Sequence, residues 1–518
     1  MKKLFLLLLS LITVSIIIGC SSNSGTTGGE KELADEQELS IVNQEIAPGL
    51  DPLIPQAAFH LRGIGVAEAL FKVNAEGEVE PSLAEGINEV AAMKWEIQLR
   101  PDAKFWSGKA INAKAVIQSL EHSKEKDLLA KPYLDDLTFT EINEYTILVQ
   151  ASSPSISAPL NLSYYQTVIQ NIEAKQDSVD TMDLTGMYKV AEFLPKQKIV
   201  LERNENYWGQ KPKIKRVVVQ EISDGQTRVQ SALSGSSHIA INIPVTSVSQ
   251  LKDQKLVETS VVPVANTLTI YTNQSRPQLK DVRVRQALSW AIDREELVLL
   301  ATEGQSTPVS SWLGSNPKFP EAKSAVYPKY DSDRANQLLD EAGWLTQSDG
   351  IRYKDGTPLT IRIMTWGGEK ATGETLQSQW AKVGVKAEVL HGDYSLITAA
   401  REKNDWDVCI EAWGTFGDIY TLLSSQFAPD GSANYGKFND EQTNQLLQQL
   451  KETSDSNKAH ELALQINERV AQLAPVISLY PRPQLTVVNK SVSGYKEHFR
   501  QFEYILNADM SLGNAESK

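Results

Sequence analysis

Apolar and polar residues alternate along much of the chain. In "KWEIQLR" (94–100), Trp95, Ile97 and Leu99 face one way and Lys94, Glu96 and Gln98 the other, the period of two of a half-buried strand. "ELSIVNQE" (38–45), "TILVQ", "KIVLERN" and "RVVVQEI" read as further strands, and "APGLDP" (47–52) punctuates a turn after the first. Elsewhere the period is helical. Asn112 is a good N-cap for "AKAVIQSLEHS", whose Val116, Ile117 and Leu120 share a face, and "DGQTRVQSALSG" stops at Gly235. "DVRVRQALSWAIDREELV" (281–298) puts Val284, Leu288, Ala291 and Ile292 on one side and charge on the other. In "DSDRANQLLDEAGW" Asp331 or Ser332 can cap, Leu338 and Leu339 pack, and Gly343 ends the helix. "PLTIRIMTW", "GETLQSQWAKVGV", "KAEVL" and "WDVCIEAWG" then read as strand, helix, strand and strand. This succession predicts the mixed α/β class, with βαβ units in a parallel or mixed sheet. Such sheets bind ligands in the crevice beyond the carboxyl ends of their strands.

The N-terminus has a different pattern. Lys2 and Lys3 precede an apolar run from Leu4 to Ile18 of about 15 residues, short of the roughly 20 that a spanning helix needs. The run predicts a secretory signal over residues 1–19. Ile17-Ile18-Gly19-Cys20 resembles the bacterial lipobox, in which Cys20 is diacylated and becomes the new N-terminus. Two acyl chains suffice for stable anchoring. Residues 20–38, small and polar and then charged, cannot bury enough apolar surface to fold and read as a lipidated tether. The expected location is extracytoplasmic, anchored to the bacterial cell membrane.

The formal net charge of −14 argues against nucleic acid and against a basic membrane-binding patch. After processing Cys409 alone remains, so no disulfide framework is expected, and in "WDVCIEAW" it reads as a small buried hydrophobe. The six histidines are far apart, and there is no HExxH, GxSxG, phosphate-cradling loop or cysteine cluster. The expectation shifts from catalysis to binding: no enzyme and no cofactor.

"PSLAEG" with "WEIQLRPDAKFWSGKAINAKAV", "TGMYKV" with "LERNENYWGQKPKIKRV", "LKDVRVRQALSWAIDREELV" and "YDSDRANQLLDEAGW" occur in the order seen in one family. Together they resemble the large extracytoplasmic solute-binding proteins of peptide/nickel ABC importers, family 5, over roughly Leu39 to Leu512. The resemblance implies a two-lobed periplasmic-binding-protein-like fold, a venus flytrap of the large class with an extra subdomain in lobe one, between about Leu70 and Asp183. The chain would cross to the second lobe near "NTLTIYTN" and return near "VISLYPRP", giving lobe one as 39–268 with 483–518 and lobe two as 269–482. It also implies importer permease and ATPase subunits as partners of a monomer whose cleft closes on its ligand.

Within that family, peptide binders hold the backbone by strand-like hydrogen bonds and neutralise the amine with an aspartate. Nickel-type members enclose a preformed chelate with aromatic rings, an arginine for carboxylates and at most one histidine on the metal. "RNENYWGQKPKIK" and "EAWGTFGDIYTLLSSQF" are closer to the nickel type. The ligand expected is therefore a nickel chelate or metallophore-type complex. A short peptide is the alternative, in transport or signal reception, and a tethered hydrolase is the least favoured. By resemblance Trp413 stands at the cleft wall, Asp418 follows it, and Phe416 lies between them. "NLSYYQTV" offers Tyr164 and Tyr165 where nickel-type proteins have an arginine, which leaves Arg62 or Arg401 to supply the cation. His60, in "QAAFHLRG", falls near the cleft and could reach a metal, although a lone histidine more often has a structural place. Trp366 ends a strand where cleft residues are expected; Trp106, Trp208 and Trp344 lie in signature turns and read as structural.

Overall fold

Val, Ile and Thr, the residues that best fit a pleated surface, gather into one mixed sheet. The computed structural model describes residues 38–154, 156–323, 330–500 and 503–513; the expected signal, Cys20 and the tether up to residue 37 lie outside them. Among the described residues that sheet has ten strands. In the first half, Glu38–Asn43 runs parallel to both Arg216–Glu221 and Ile239–Ile241, and Lys198–Arg203 and Tyr188–Leu194 follow antiparallel. In the second half, Thr360–Trp366 runs parallel to Lys386–Gly392 and Val408–Gly414.

Two long antiparallel strands, Val257–Thr272 and Val476–Asn489, join the halves. Residues 257–263 pair with 483–489, which border Ile239–Ile241; residues 267–271 pair with 476–481 and, on the other edge, with Val408–Gly414. The register slips between Pro263 and Thr267, opposite Pro483 and Pro481. Proline has no N–H to give to a ladder, so three prolines at one level loosen the pairing just where the strands change partners.

Each region has its own apolar core. Leu39, Ile41, Leu61, Val217 and Ile239 pack in the first half. Leu268, Ile270, Leu288, Leu338, Ile361, Leu376 and Trp380 pack on one side of the second. A separate four-stranded antiparallel sheet, Ala84–Ala91, Lys94–Leu99, Thr146–Ala151 and Leu137–Asn143, packs against helix Ala113–Lys126 around Leu70, Ile97, Leu120 and Val149. Full burial of each such side chain is worth about 1.5–3 kcal/mol, so all three cores contribute substantially.

Local signals decide the helix boundaries. Asn112 Oδ1 accepts the Ala115 N–H at 3.0 Å, and Asp331 caps Ser332–Glu341 through the Arg334 N–H at 2.8 Å. Gly343 follows at φ 84°, the left-handed conformation that ends a helix. The stretch 281–298 departs from its single helical pattern: it forms Val282–Trp290 and then Arg294–Thr302. The reason is Asp293, whose carboxylate accepts the Glu296 N–H at 3.0 Å and starts a new helix. Trp106 and Trp208 donate to the Gly186 carbonyl and the Glu68 carboxylate, and Trp344 lies in the second-half core, so all three are built into the fold. Cys409 is fully buried, and burial pushes its thiol pKa up to about 12. Among the described residues no helix is long and apolar enough to cross a membrane.

Candidate functional site

The carboxyl ends of parallel strands from both halves meet where the long strands cross. Glu45 lies just past Glu38–Asn43, and Glu221 ends the adjacent strand and accepts the Ile46 N–H at 3.3 Å. From the second half come Trp366 at the end of Thr360–Trp366 and Trp413 near the end of Val408–Gly414. Arg482, on the returning long strand, links the halves: it binds the Glu369 carboxylate, lies 5.9 Å from the Trp366 ring, and interacts electrostatically with Glu45. Trp366 meets Tyr394 edge-on at 5.0 Å. Glu45 remains 58% exposed while desolvation, and then Glu221, push its pKa up. A wet carboxylate crowded by protein is what a cleft wall presents.

A second cluster surrounds Arg500, whose guanidinium lies 4.7 Å from the Tyr164 ring and 5.6 Å from that of Phe416. Tyr133 stacks on Tyr164 at 4.0 Å, and Phe416 meets Phe499 edge-on at 4.9 Å. Arg500 is only 8% exposed; Nη1 donates to Glu503 at 3.2 Å, and Nη2 has no hydrogen-bond partner among the described residues.

The two halves touch beside this cluster. Asp418 caps helix Ile419–Phe427 through the Thr421 N–H at 2.9 Å, and its other oxygen accepts the Ser157 N–H at 3.0 Å from across the junction. Burial pushes the Asp418 pKa up, and the two N–H donors oppose that shift. Lys318 pairs with Glu78, and Phe416 packs with Val73 and Ala265. These contacts draw the halves together.

The remaining expected residues have definite places. Trp413 is half-buried against the core formed by Trp312, Phe427 and their neighbours, and is opposite Thr267 in register. Tyr165 belongs to the same cluster: its ring lies 5.1 Å from that of Tyr164 and also meets Phe59 edge-on at 5.1 Å. His60 is buried, with Nε2 3.8 Å from Glu45 Oε1, and burial lowers its pKa to about 4. Arg62 donates to the Ser163 carbonyl and the Tyr504 hydroxyl, and Arg401 forms a two-pronged pair with Glu411; both are engaged within the fold. The structure thus brings Tyr164 and Phe416 to Arg500, and Trp366 to Arg482 and Glu369. Sequence reasoning missed Arg500, Arg482, Glu369 and Glu45. Arg482 lay in the "VISLYPRP" return segment, a usable signal; the irregular stretch around Arg500 offered none.

Comparison with known proteins agrees with this architecture. The family model described as "Bacterial extracellular solute-binding proteins, family 5 Middle" matches residues 78–434. The nickel-binding protein NikA of Staphylococcus aureus is 26% identical over 440 residues, covering 84% of this chain and 86% of its own. A structure of NikA from Staphylococcus aureus in complex with Ni(L-His)2 superposes with a TM-score of 0.78 at 23% identity, covering 92% of this chain and 100% of that one. NikA from Brucella suis in complex with Fe(III)-EDTA gives a TM-score of 0.83 at 22% identity, with the same coverage of 92% and 100%. The oligopeptide-binding protein AppA from Bacillus subtilis in complex with a nonapeptide gives 0.76 at 22%, covering 92% and 99%. The fold is accordingly that of a two-lobed periplasmic binding protein.

Proposed function

Since the chain belongs to the bacterial extracellular solute-binding proteins of family 5, transport binding proteins and not enzymes, we propose that it captures a nickel chelate or metallophore-type complex and delivers it to an ABC importer. One observation carries this reading: Arg500, wedged between Tyr164 and Phe416, keeps Nη2 without a hydrogen-bond partner among the described residues. A guanidinium fork prefers a carboxylate, and the rings beside it line the place where that carboxylate would sit with aromatic surface. Among the described residues no three His, Cys, Asp or Glu side chains gather to hold a bare metal ion, so a metal would arrive with its own ligands.

In this reading lobe one comprises residues 39–268 and 483–518 and lobe two residues 269–482, with the level of Pro263, Pro481 and Pro483 as the hinge. Trp413 and Trp366 are aromatic walls, Asp418 joins the lobes on closure, and His60 stands behind Glu45. Cys20 carries the lipid that keeps a monomer close to its permease and ATPase on the outer face of the cell membrane. A short peptide is the second reading, favoured by the carboxylates of Glu45 and Glu369, which suit an amine.

The experiment is calorimetric titration of the mature protein with Ni(L-His)2 and with trialanine. Saturable binding of the nickel complex, lost in Arg500→Ala, supports the chelate. Binding of trialanine alone moves the protein to the peptide branch.

A further inference from the structure

The carboxylates at the crossing point have no part in the reading of Arg500. Glu369 and Glu45 both interact with Arg482, and Glu221 adds its charge to that of Glu45. The nearby Glu411 has its own partner in Arg401. Two carboxylates thus share one guanidinium, with the charge of Glu221 beside them, which leaves a local excess of negative charge where both lobes contribute wall.

Glu369 shows where that excess is directed. It is only 4% exposed; Arg482 takes Oε1, while Oε2 has no hydrogen-bond partner among the described residues. A buried carboxylate oxygen without a donor is costly to a fold, and a ligand that brings the donor relieves the cost. Gly367 lies against it, and a Cβ there would crowd the oxygen at 3.3 Å. Glu45, which interacts with the same Arg482, is more than half exposed.

We propose that Glu369 and Glu45 form a subsite for a protonated amine, or a comparable cationic group, carried by the ligand. The cargo is then bipolar, with a carboxylate at Arg500 and a cation at Glu369. The inference rests on the reading of this junction as the ligand cleft.

The test uses nickel(II) in excess L-lysine and in excess L-norleucine. Both amino acids chelate through the α-amine and carboxylate, but only lysine keeps a free ammonium. The lysine complex should bind about tenfold more tightly to the wild type, the scale of a charge-assisted hydrogen bond. Glu369→Gln, and independently the solvent-accessible Glu45→Gln, should each reduce that ratio to about twofold or less while norleucine-complex binding persists. Equal affinity for the two complexes in the wild type overturns the subsite. If neither complex binds, the chelate reading fails, and the subsite is then read with trialanine against N-acetyl-trialanine. A preference for the free amine that Glu369→Gln abolishes supports it. No preference, a preference that survives the substitution, or no binding of any probe overturns it.

Discussion

Arg401 is largely buried and Arg500 more so, and each lies beside a glutamate and an aromatic ring. Arg401 gives Nη1 and Nη2 to the two oxygens of Glu411, at 3.1 and 2.6 Å, with the Tyr435 ring 3.8 Å away. Arg500 gives Nη1 to Glu503, its Nη2 has no hydrogen-bond partner among the described residues, and the rings beside its guanidinium come from both halves of the molecule. The first is a pair closed at both ends of the fork within the second half, which leaves a ligand carboxylate no fork to bind. The second is a pair opened at one corner, beside the contacts that join the two halves. Each arginine keeps one buried donor without a hydrogen-bond partner among the described residues, Nε of Arg401 and Nη2 of Arg500, so burial, charge and an open donor do not by themselves single out a binding arginine; an open end of the fork, placed at the junction, is what points to Arg500.

The strongest way to break this contrast is Arg401→Ala. Removing one member of a buried pair leaves Glu411 uncompensated, and the loss should be about 3–5 kcal/mol in denaturant unfolding. A stable variant with weakened ligand binding would reverse the roles assigned to the two arginines.

His60 sharpens the contrast from another side, as a buried base that stays neutral. Its folded pKa, about 4, lies below the usual 6.5. Its contribution is therefore fully present above pH 6.5 and is lost as pH falls towards 4, by about 3 kcal/mol. Comparing the unfolding free energy of wild type and His60→Leu from pH 7 to pH 4 isolates this slope, and parallel curves would contradict it.

Arg500→Lys keeps the charge and loses the fork, so affinity for Ni(L-His)2 should fall about 100-fold with little change in melting temperature. Full retention of affinity would mean that a point charge suffices. Trp413→Ala should cost about tenfold in affinity and leave the fold intact, since a half-buried wall is a contact surface more than a core element. Calorimetry and a thermal melt on the same sample separate the two effects.

Much of the architecture was legible because it depends on local chemistry. The period-two runs became strands, Asn112 and Asp331 became caps, and "NTLTIYTN" and "VISLYPRP" lie on the two long strands. Even the loosened pairing at the crossing was written in Pro263, Pro481 and Pro483. The break at Asp293 was not, because the apolar spacing continues through it while the cap restarts the helix. The site was less legible still. Arg500 matters through Tyr164 and Phe416, and Glu369 through Arg482. Those pairs are distant in sequence and share no motif, so only the folded chain brings them together.

The most direct measurement is native mass spectrometry of the mature protein purified from its own host, where a closed cleft can retain its cargo. The account predicts a bound mass with a nickel isotope pattern and a carrier bearing at least one carboxylate. A ladder of metal-free peptide masses would contradict it.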